Sequence, residues 1–156
     1  MEVTLRNFEE DDLPTLEQWA HAIRSERFMS RYRPECAAAD SRYTPNPLWF
    51  VVELGGTPVG TTWLERGEAA DEFALGILLG DALLFGRGIG RRAIELAVER
   101  LKKIENVARI TVNVRVNNPR AIACCARCGF AIAGEPVEQS ADGLQVQCHT
   151  MIRELT

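Results

Sequence analysis

The chain has 156 residues, the length of one domain, with 46% hydrophobic residues, 26% charged residues and a net charge of −4. This composition excludes a disordered or collagen-like chain, and the mild acidity argues against a nucleic-acid binder, which needs a basic surface. No run of residues is long and apolar enough to span a membrane, and the first residues lack the features of a secretion signal. We therefore predict one cytoplasmic domain over residues 1–156, with neither a membrane nor a nucleic acid as partner.

Hydrophobic periodicity and turn residues divide the chain into strands and helices. The first half predicts a strand at 3–8, helices at 9–22 and 26–32, a turn-rich loop at 34–47, a hairpin of strands at 49–54 and 58–65, and an apolar strand at 72–79. The second half predicts a long helix at 88–105, a strand at 108–116, a helix from 118 to 129, and strands at 130–137 and 144–155 around a turn at 140–143. This order predicts an α/β fold around one mixed sheet.

The five cysteines predict reduced thiols, because their number is odd and no secretion signal is recognised. Cys125 and Cys128 have the spacing of a redox pair or of half a zinc site. The two histidines, His21 and His149, form no spaced pair, and the cysteines lie in a predicted helix rather than after a strand. We therefore predict no metal site.

The most informative segment is a glycine-rich loop between the apolar strand and the long helix. It contains Gly80, Gly86, Gly88 and Gly90 and leads directly into the helix. Free amides at a helix N-terminus bind anions, above all phosphate, and nearby arginines would add positive charge. An ordinary strand-to-helix turn with capping glycines is the alternative. The loop lacks the lysine of a Walker A motif, and its last glycine interval differs from the dinucleotide-binding fingerprint.

Two stretches resemble motifs of the GNAT superfamily of N-acetyltransferases. Residues 85–90, Phe-Gly-Arg-Gly-Ile-Gly, resemble motif A, which reads Gln/Arg-x-x-Gly-x-Gly/Ala. Residues 118–130 resemble motif B, which reads Asn-x-x-Ala-x-x-x-Tyr-x-Lys-x-Gly-Phe. With the order of elements, the resemblance covers essentially the whole chain, and it is closest to the branch that acetylates ribosomal-protein N-termini, amino sugars and aminoglycosides. It implies a GNAT fold, with a mostly antiparallel sheet of about six or seven strands, helices on both faces and splayed central strands.

The resemblance also implies acetyl-CoA as co-substrate. Its pyrophosphate would bind the amides of residues 86–91, and its pantetheine arm would pair with Leu78 and Leu79 like an added strand. An amide near Leu79 would stabilise the oxyanion of the tetrahedral intermediate. Asn118 would contact the arm and Arg127 the nucleotide, although a helix cap and a solvated charge are their alternative roles. The implied binding residues are Leu78, Leu79, Gly86, Arg87, Gly88, Ile89, Gly90, Arg91, Asn118 and Arg127.

Three positions depart from the family pattern. Phe85 replaces the polar first residue of motif A, and Cys125 replaces the tyrosine that commonly protonates the departing thiolate. An ordinary cysteine titrates near ~8.5, so Cys125 is a candidate general acid, with simple packing as the alternative. Glu72 is a candidate general base, although the closest branch has its glutamate where this chain has Ala74.

We therefore predict an enzyme that transfers an acetyl group from acetyl-CoA to a primary amine by direct attack in a ternary complex. A covalent route through Cys125 would need a neighbouring base, and neither histidine is near it in sequence. The alternative function is a catalytically silent acyl-CoA-binding regulatory module. The acceptor would be a small molecule or a peptide amine, and the protein would be a monomer or a homodimer.

Overall fold

The structure, a computed structural model, describes residues 2–24, 34, 48–141 and 144–155. The strands are β1 (Val3–Asn7), β2 (Leu48–Leu54), β3 (Thr57–Arg66), β4 (Glu72–Leu79), β5 (Arg109–Arg115), β6 (Ala131–Ile132), β7 (Val137–Ala141) and β8 (Leu144–Glu154). The helices are α1 (Leu13–Arg24), α2 (Ile89–Ile104) and α3 (Pro119–Arg127), with short 3-10 turns at Glu10–Asp12 and Ala82–Leu84. The helix predicted at 26–32 and nearly all of the loop predicted at 34–47 lie outside the described residues. None of the described helices is both long and apolar enough to cross a membrane.

The described strands form one sheet with the order β1-β2-β3-β4-β5-β8-β6, and β7 also pairs with β8. Every pairing is antiparallel except that of β4 with β5. The predicted mixed sheet is therefore confirmed, but with eight strands rather than six or seven.

The additional strand arises because the single strand predicted at 130–137 is wrong. β6 ends at Ile132, and β7 begins at Val137. Between them, Gly134 has a φ of 73°, and Pro136 has no amide to donate to a strand ladder. The turn predicted at 140–143 is also too long, because β7 continues through Ala141.

Two hydrophobic layers cover the two faces of the sheet. On one face, α2 buries a continuous stripe against β-strand side chains; its members are Ile89, Ala93, Ile94, Ala97, Val98 and Leu101. On the other face lies a second cluster, here called the aromatic cluster, made of Phe8, Leu16, Trp49, Val51, Trp63 and Leu78. Leu16 carries α1 into this cluster, and the rings of Phe8 and Trp49 are stacked 3.8 Å apart. The layered arrangement holds the central strands from both sides.

The central strands β4 and β5 separate soon after they meet. Their parallel pairing comprises only Glu72–Arg109, Phe73–Ile110 and Ala74–Thr111. β4 then continues to Leu79 and β5 to Arg115 without further mutual pairing. The sheet is thus splayed between these two strands, as the family resemblance implied.

Gly76 cannot carry a side chain without disturbing the aromatic cluster. A Cβ built at this position would overlap ring carbons of Trp63, its cross-strand neighbour, which is only 1% exposed. We predict that Gly76→Ala lowers the free energy of unfolding by about 3 kcal/mol, the upper range for overpacked cores. Gly90→Ala is the control, because a Cβ there would meet its neighbours at an ordinary 3.6 Å. Denaturant titration of both variants tests this, and equal stabilities would contradict it.

Candidate active site

A cleft opens between β4 and β5 where their pairing ends. It has a volume of about 100 Å³, and its two walls are residues 74–77 of β4 and residues 111–115 of β5. The other lining residues in the described part of the chain are Trp63, Asn118, Ala121, Cys125 and Gln139. The start of α3 therefore closes the cleft from one side, and β3 contributes one aromatic ring.

Beyond Ala74, β4 offers an unpaired backbone edge to this cleft. The carbonyl of Asp71 accepts from the amide of Ala108 just before β5, whereas the amide of Gly80 donates to Val59 on the β3 side. Because backbone groups alternate in direction along a strand, the odd-numbered residues Ile77 and Leu79 direct theirs toward the cleft. Leu78 directs its own toward Thr61 and buries its side chain in the aromatic cluster. Of the two residues predicted to pair with an extended ligand, Leu78 and Leu79, only Leu79 therefore directs its backbone groups toward the cleft.

The N-terminus of α2 presents a set of free amides. The first backbone hydrogen bond of this helix runs from the amide of Arg92 to the carbonyl of Gly88. The amides of Ile89, Gly90 and Arg91 come before this bond and therefore have no carbonyl partner within the helix. No side chain caps the helix, and its first turn contains no acidic residue. Gly86 and Gly88 have φ values of 77° and 82°, and a Cβ on either would meet nothing within 4 Å. The described residues therefore leave space beside these amides, and the anion site there stays a prediction.

Three arginines lie around this helix end. Arg87 is exposed in the loop, and Arg91 is exposed and forms an ion pair with Glu95 at 3.0 Å. Arg127 is exposed in the last turn of α3. A hydrogen bond with Cys128 lowers the pKa of the Cys124 thiol, and the charges of Arg127 and Arg91 lower it further. Two helices therefore bring positive charge to the same place.

Asn118 caps α3 and also lines the cleft. Its side-chain oxygen accepts from the amide of Ala121 at 3.2 Å and so caps α3. The residue also lines the cleft, and its side-chain NH₂ has no partner among the described residues. Asn118 can therefore cap its helix and still donate to a ligand.

Comparison with known sequences agrees with this geometry. The profile of the Acetyltransferase (GNAT) family matches residues 9–130. The chain belongs to this family. It is 29% identical over 153 aligned positions to the aminoglycoside N(6')-acetyltransferase type 1 of Klebsiella pneumoniae, and the match spans 85% of this chain and 75% of the relative. A relative of the same description from Serratia marcescens matches equally well.

Solved structures of acetyltransferases have the same fold. The aminoglycoside acetyltransferase AAC(6')-Ib, crystallised with coenzyme A and kanamycin, gives a TM-score of 0.76 at 23% identity over 99% of this chain and 95% of that one. Spermidine N-acetyltransferase from Vibrio cholerae, with coenzyme A and spermine, gives 0.78 at 23% identity over 97% and 95%. The GNAT resemblance drawn from the two motifs is confirmed.

The atypical Phe85 of this acetyltransferase anchors the glycine loop. Its ring packs against the aromatic cluster, and the guanidinium of Arg120 lies 5.3 Å from its centroid. Trp19 of α1 lies directly over Gly80 at the other end of the loop, where it would overlap a Cβ. An apolar first residue of motif A thus fixes the loop between α1 and α3.

Cys125 has an environment that the sequence did not indicate. The residue is buried and lines the cleft, and this burial raises the pKa of its thiol to about 12. The thiol is therefore protonated at neutral pH, which disfavours a covalent route through a cysteine thiolate. It is also a weaker acid than an ordinary thiol, whose pKa is ~8.5. Cys125 is thus suited to donating a hydrogen bond and poorly suited to giving up its proton.

The structure places Glu72 outside the cleft. Glu72 lies at the end where β4 and β5 are still paired, beside Gly67 and near the charge of Arg109. Among the described residues that line the cleft there is no Asp, Glu or His. The sequence analysis missed Glu65, a 9% exposed carboxylate on β3 that lies cross-strand from Ala74. The sequence feature that could have identified Glu65 is a charged residue two positions after Trp63 in an otherwise buried strand.

The cysteines and acidic residues form no metal site in the described part of the acetyltransferase. No group of three or more His, Cys, Asp or Glu side chains there could hold a metal ion. Among the described cysteines, Cys124, Cys125, Cys128 and Cys148, there is no disulfide bond.

The open surface above Gly88 gives a test of the anion site. We predict that Gly88→Val weakens coenzyme A binding at least ~10-fold, or ~1.4 kcal/mol, because the side chain would cover the free amides. Gly56→Val is the matched control: Gly56 has a φ of 83°, also with nothing within 4 Å of a Cβ, but lies in the β2–β3 hairpin. Both variants should lose similar stability to backbone strain.

Isothermal titration with coenzyme A measures the difference between these variants. Arg91→Ala should weaken binding less than Gly88→Val, because Arg91 is exposed and already paired with Glu95. If Gly88→Val and Gly56→Val bound coenzyme A with equal affinity, the pyrophosphate would not bind at the amides beside Gly88.

The buried thiol gives a prediction about pH dependence. Because a thiol with a pKa of about 12 stays protonated between pH 6 and 9, Cys125→Ala should leave the shape of the kcat profile unchanged over that range. Cys124→Ala, at the half-buried neighbour whose pKa is lowered, is the control. Loss of an alkaline limb in Cys125→Ala alone would mean that Cys125 does act as the general acid.

Proposed function

We propose that this acetyltransferase transfers an acetyl group from acetyl-CoA to a primary amine of a small molecule, by direct attack in a ternary complex. One observation carries the proposal: the free helix end and the open strand edge are continuous. A Cβ on Gly90, in the first turn of α2, would lie 3.7 Å from Ile77, which lines the cleft. An extended ligand with an anionic end can therefore bind both features at once.

Acetyl-CoA fits this path. Its pyrophosphate would bind the amides of residues 86–91, and Arg87, Arg91 and Arg127 would surround the charged end with positive charge. The pantetheine arm would pair with Leu79, with Asn118 donating from the other wall of the cleft. From Leu79, the arm would run toward the end of the cleft where β4 and β5 are paired. Its acyl group would then lie beside the amide of Ile77, the next residue of β4 whose backbone faces the cleft.

The chemistry at this position is acyl transfer without a covalent enzyme intermediate. The amine nitrogen attacks the acetyl carbon, a C–N bond forms, the C–S bond breaks, and sulfur leaves as a thiolate. Backbone donation from Ile77 would stabilise the negative charge that develops on the acyl oxygen. Cys125 would donate an S–H hydrogen bond to the departing sulfur, and water would supply the proton that the sulfur finally takes.

The acceptor amine must lose a proton before it attacks, since ordinary amines are charged at neutral pH. We assign this task to a water relay ending on Glu65, because Glu65 lies cross-strand from Ala74 at the edge of the cleft. Glu72 projects from the same face of β4 as Ala74, but it lies outside the cleft, in the segment where β4 and β5 are still paired.

Substitution by glutamine separates the two carboxylates. We predict that Glu65→Gln lowers kcat/KM at least tenfold at pH 7, with a smaller loss at pH 9, where more of the amine is already neutral. Glu72→Gln is the control and should stay within about threefold of the wild type. Thermal unfolding of both variants checks their folding. If Glu72→Gln lowered kcat/KM more than Glu65→Gln, Glu72 rather than Glu65 would be the general base.

The names of the relatives suggest the acceptor class: aminoglycosides and polyamines such as spermidine. A panel of aminoglycosides, polyamines, amino acids and peptides, assayed with acetyl-CoA, tests the proposal. Turnover of at least one amine, reduced in Gly88→Val at acetyl-CoA concentrations below saturation, is the expected result. Coenzyme A binding without turnover of any amine would favour the alternative, a silent acyl-CoA-binding module.

A further inference from the structure

Trp63 contains a buried hydrogen-bond donor that is not used within the described part of the chain. The side chain is 1% exposed, and its indole nitrogen Nε1 has no hydrogen-bond partner among the described residues. Its neighbour in the aromatic cluster, Trp49, donates the equivalent N–H to the hydroxyl of Thr61 at 2.8 Å. A buried donor left without a partner destabilises the folded state. The two indoles thus differ in whether their N–H group has a partner among the described residues, and the unpartnered N–H of Trp63 is the one that could bind a ligand.

The unused donor lies at the cleft. Trp63 pairs across the strands with Gly76, and Nε1 would be 2.6 Å from a Cβ built on that glycine. The edge of the indole formed by Nε1, Cε2 and Cζ2 therefore covers Gly76 in the middle of the β4 wall, next to the cleft-facing backbone of Ile77. This is two residues beyond Ala74, where pairing with β5 ends.

We propose that the indole N–H of Trp63 donates a hydrogen bond to the acyl oxygen of the bound thioester. This assignment rests on the function proposed above. An indole N–H donates and does not accept, so it cannot bind an ammonium group or take a proton from the amine. A carbonyl oxygen at the end of the arm is the partner that its position and chemistry fit.

The same bond would assist the reaction. When the amine nitrogen forms its bond to the acetyl carbon, the electron pair of the C=O bond moves onto oxygen, and it returns when the C–S bond breaks. A donor aimed at this oxygen binds the charged intermediate more strongly than the ground state, which lowers the barrier. Trp63 and the amide of Ile77 would then form a pair of donors, one from a side chain and one from the backbone.

An isosteric substitution tests the donor without changing packing. Replacing Trp63 by 3-benzothienylalanine exchanges N–H for sulfur and keeps the shape of the ring. We expect kcat to fall at least tenfold, with coenzyme A affinity and the free energy of unfolding unchanged. The same replacement at Trp49 is the matched control: it should lower stability, because its bond to Thr61 is lost, and leave kcat within about threefold. Wild-type kcat with the isostere at position 63 would overturn the proposal.

A second readout does not depend on turnover. In the ¹⁵N-labelled protein, the indole proton of Trp63 should shift downfield on addition of acetyl-CoA and not on addition of coenzyme A, which has no acyl oxygen. An equal shift with both ligands, or a shift only when an amine acceptor is added, would contradict the proposal. If no amine is acetylated but the acetyl-CoA-specific shift appears, the proposed function fails while the contact with the acyl oxygen stands.

Discussion

The early separation of β4 and β5 determines where everything else in this protein lies. Three parallel pairs join the two strands, whereas each is paired over seven positions with its outer neighbour, β3 or β8. The outer pairings hold the strands apart, so the gap between them is fixed before any ligand arrives. An open strand edge inside a sheet is costly unless something covers it. In the function proposed above, the pantetheine arm of acetyl-CoA is the group that covers this edge.

Buried polar groups are satisfied in the part of the sheet formed by β2 and β3. Thr61 accepts from Trp49 and donates to the carbonyl of Phe50, and Thr62 donates to the carbonyl of Gly76. On β8, the buried Nδ1 of His149 has no partner among the described residues. At the gap, the edge of β4, the amides at the start of α2 and the indole of Trp63 are left as donors. Stability is thus lower at the positions where a ligand with complementary acceptors can restore it.

The sequence predicted features that depend on local chemistry and missed those that depend on register. Asn118 followed by proline predicted a helix start, and the glycine loop predicted a helix N-terminus, because caps and turns are set by adjacent residues. Trp63 and Glu65 acquire their positions from cross-strand partners on β4, Gly76 and Ala74, and not from their neighbours in the sequence. The pKa of the Cys125 thiol likewise depends on residues distant in the sequence, because burial raises it.

The aromatic cluster has a consequence for how the protein can be observed. All three tryptophans of the chain, Trp19, Trp49 and Trp63, belong to this layer or pack against it, and none lies on the face covered by α2. Nearly all of the near-ultraviolet emission of the unlabelled protein must therefore originate from one side of the sheet. Quenching or a spectral shift would report events on the α1 side of the cleft, with little background from the other side.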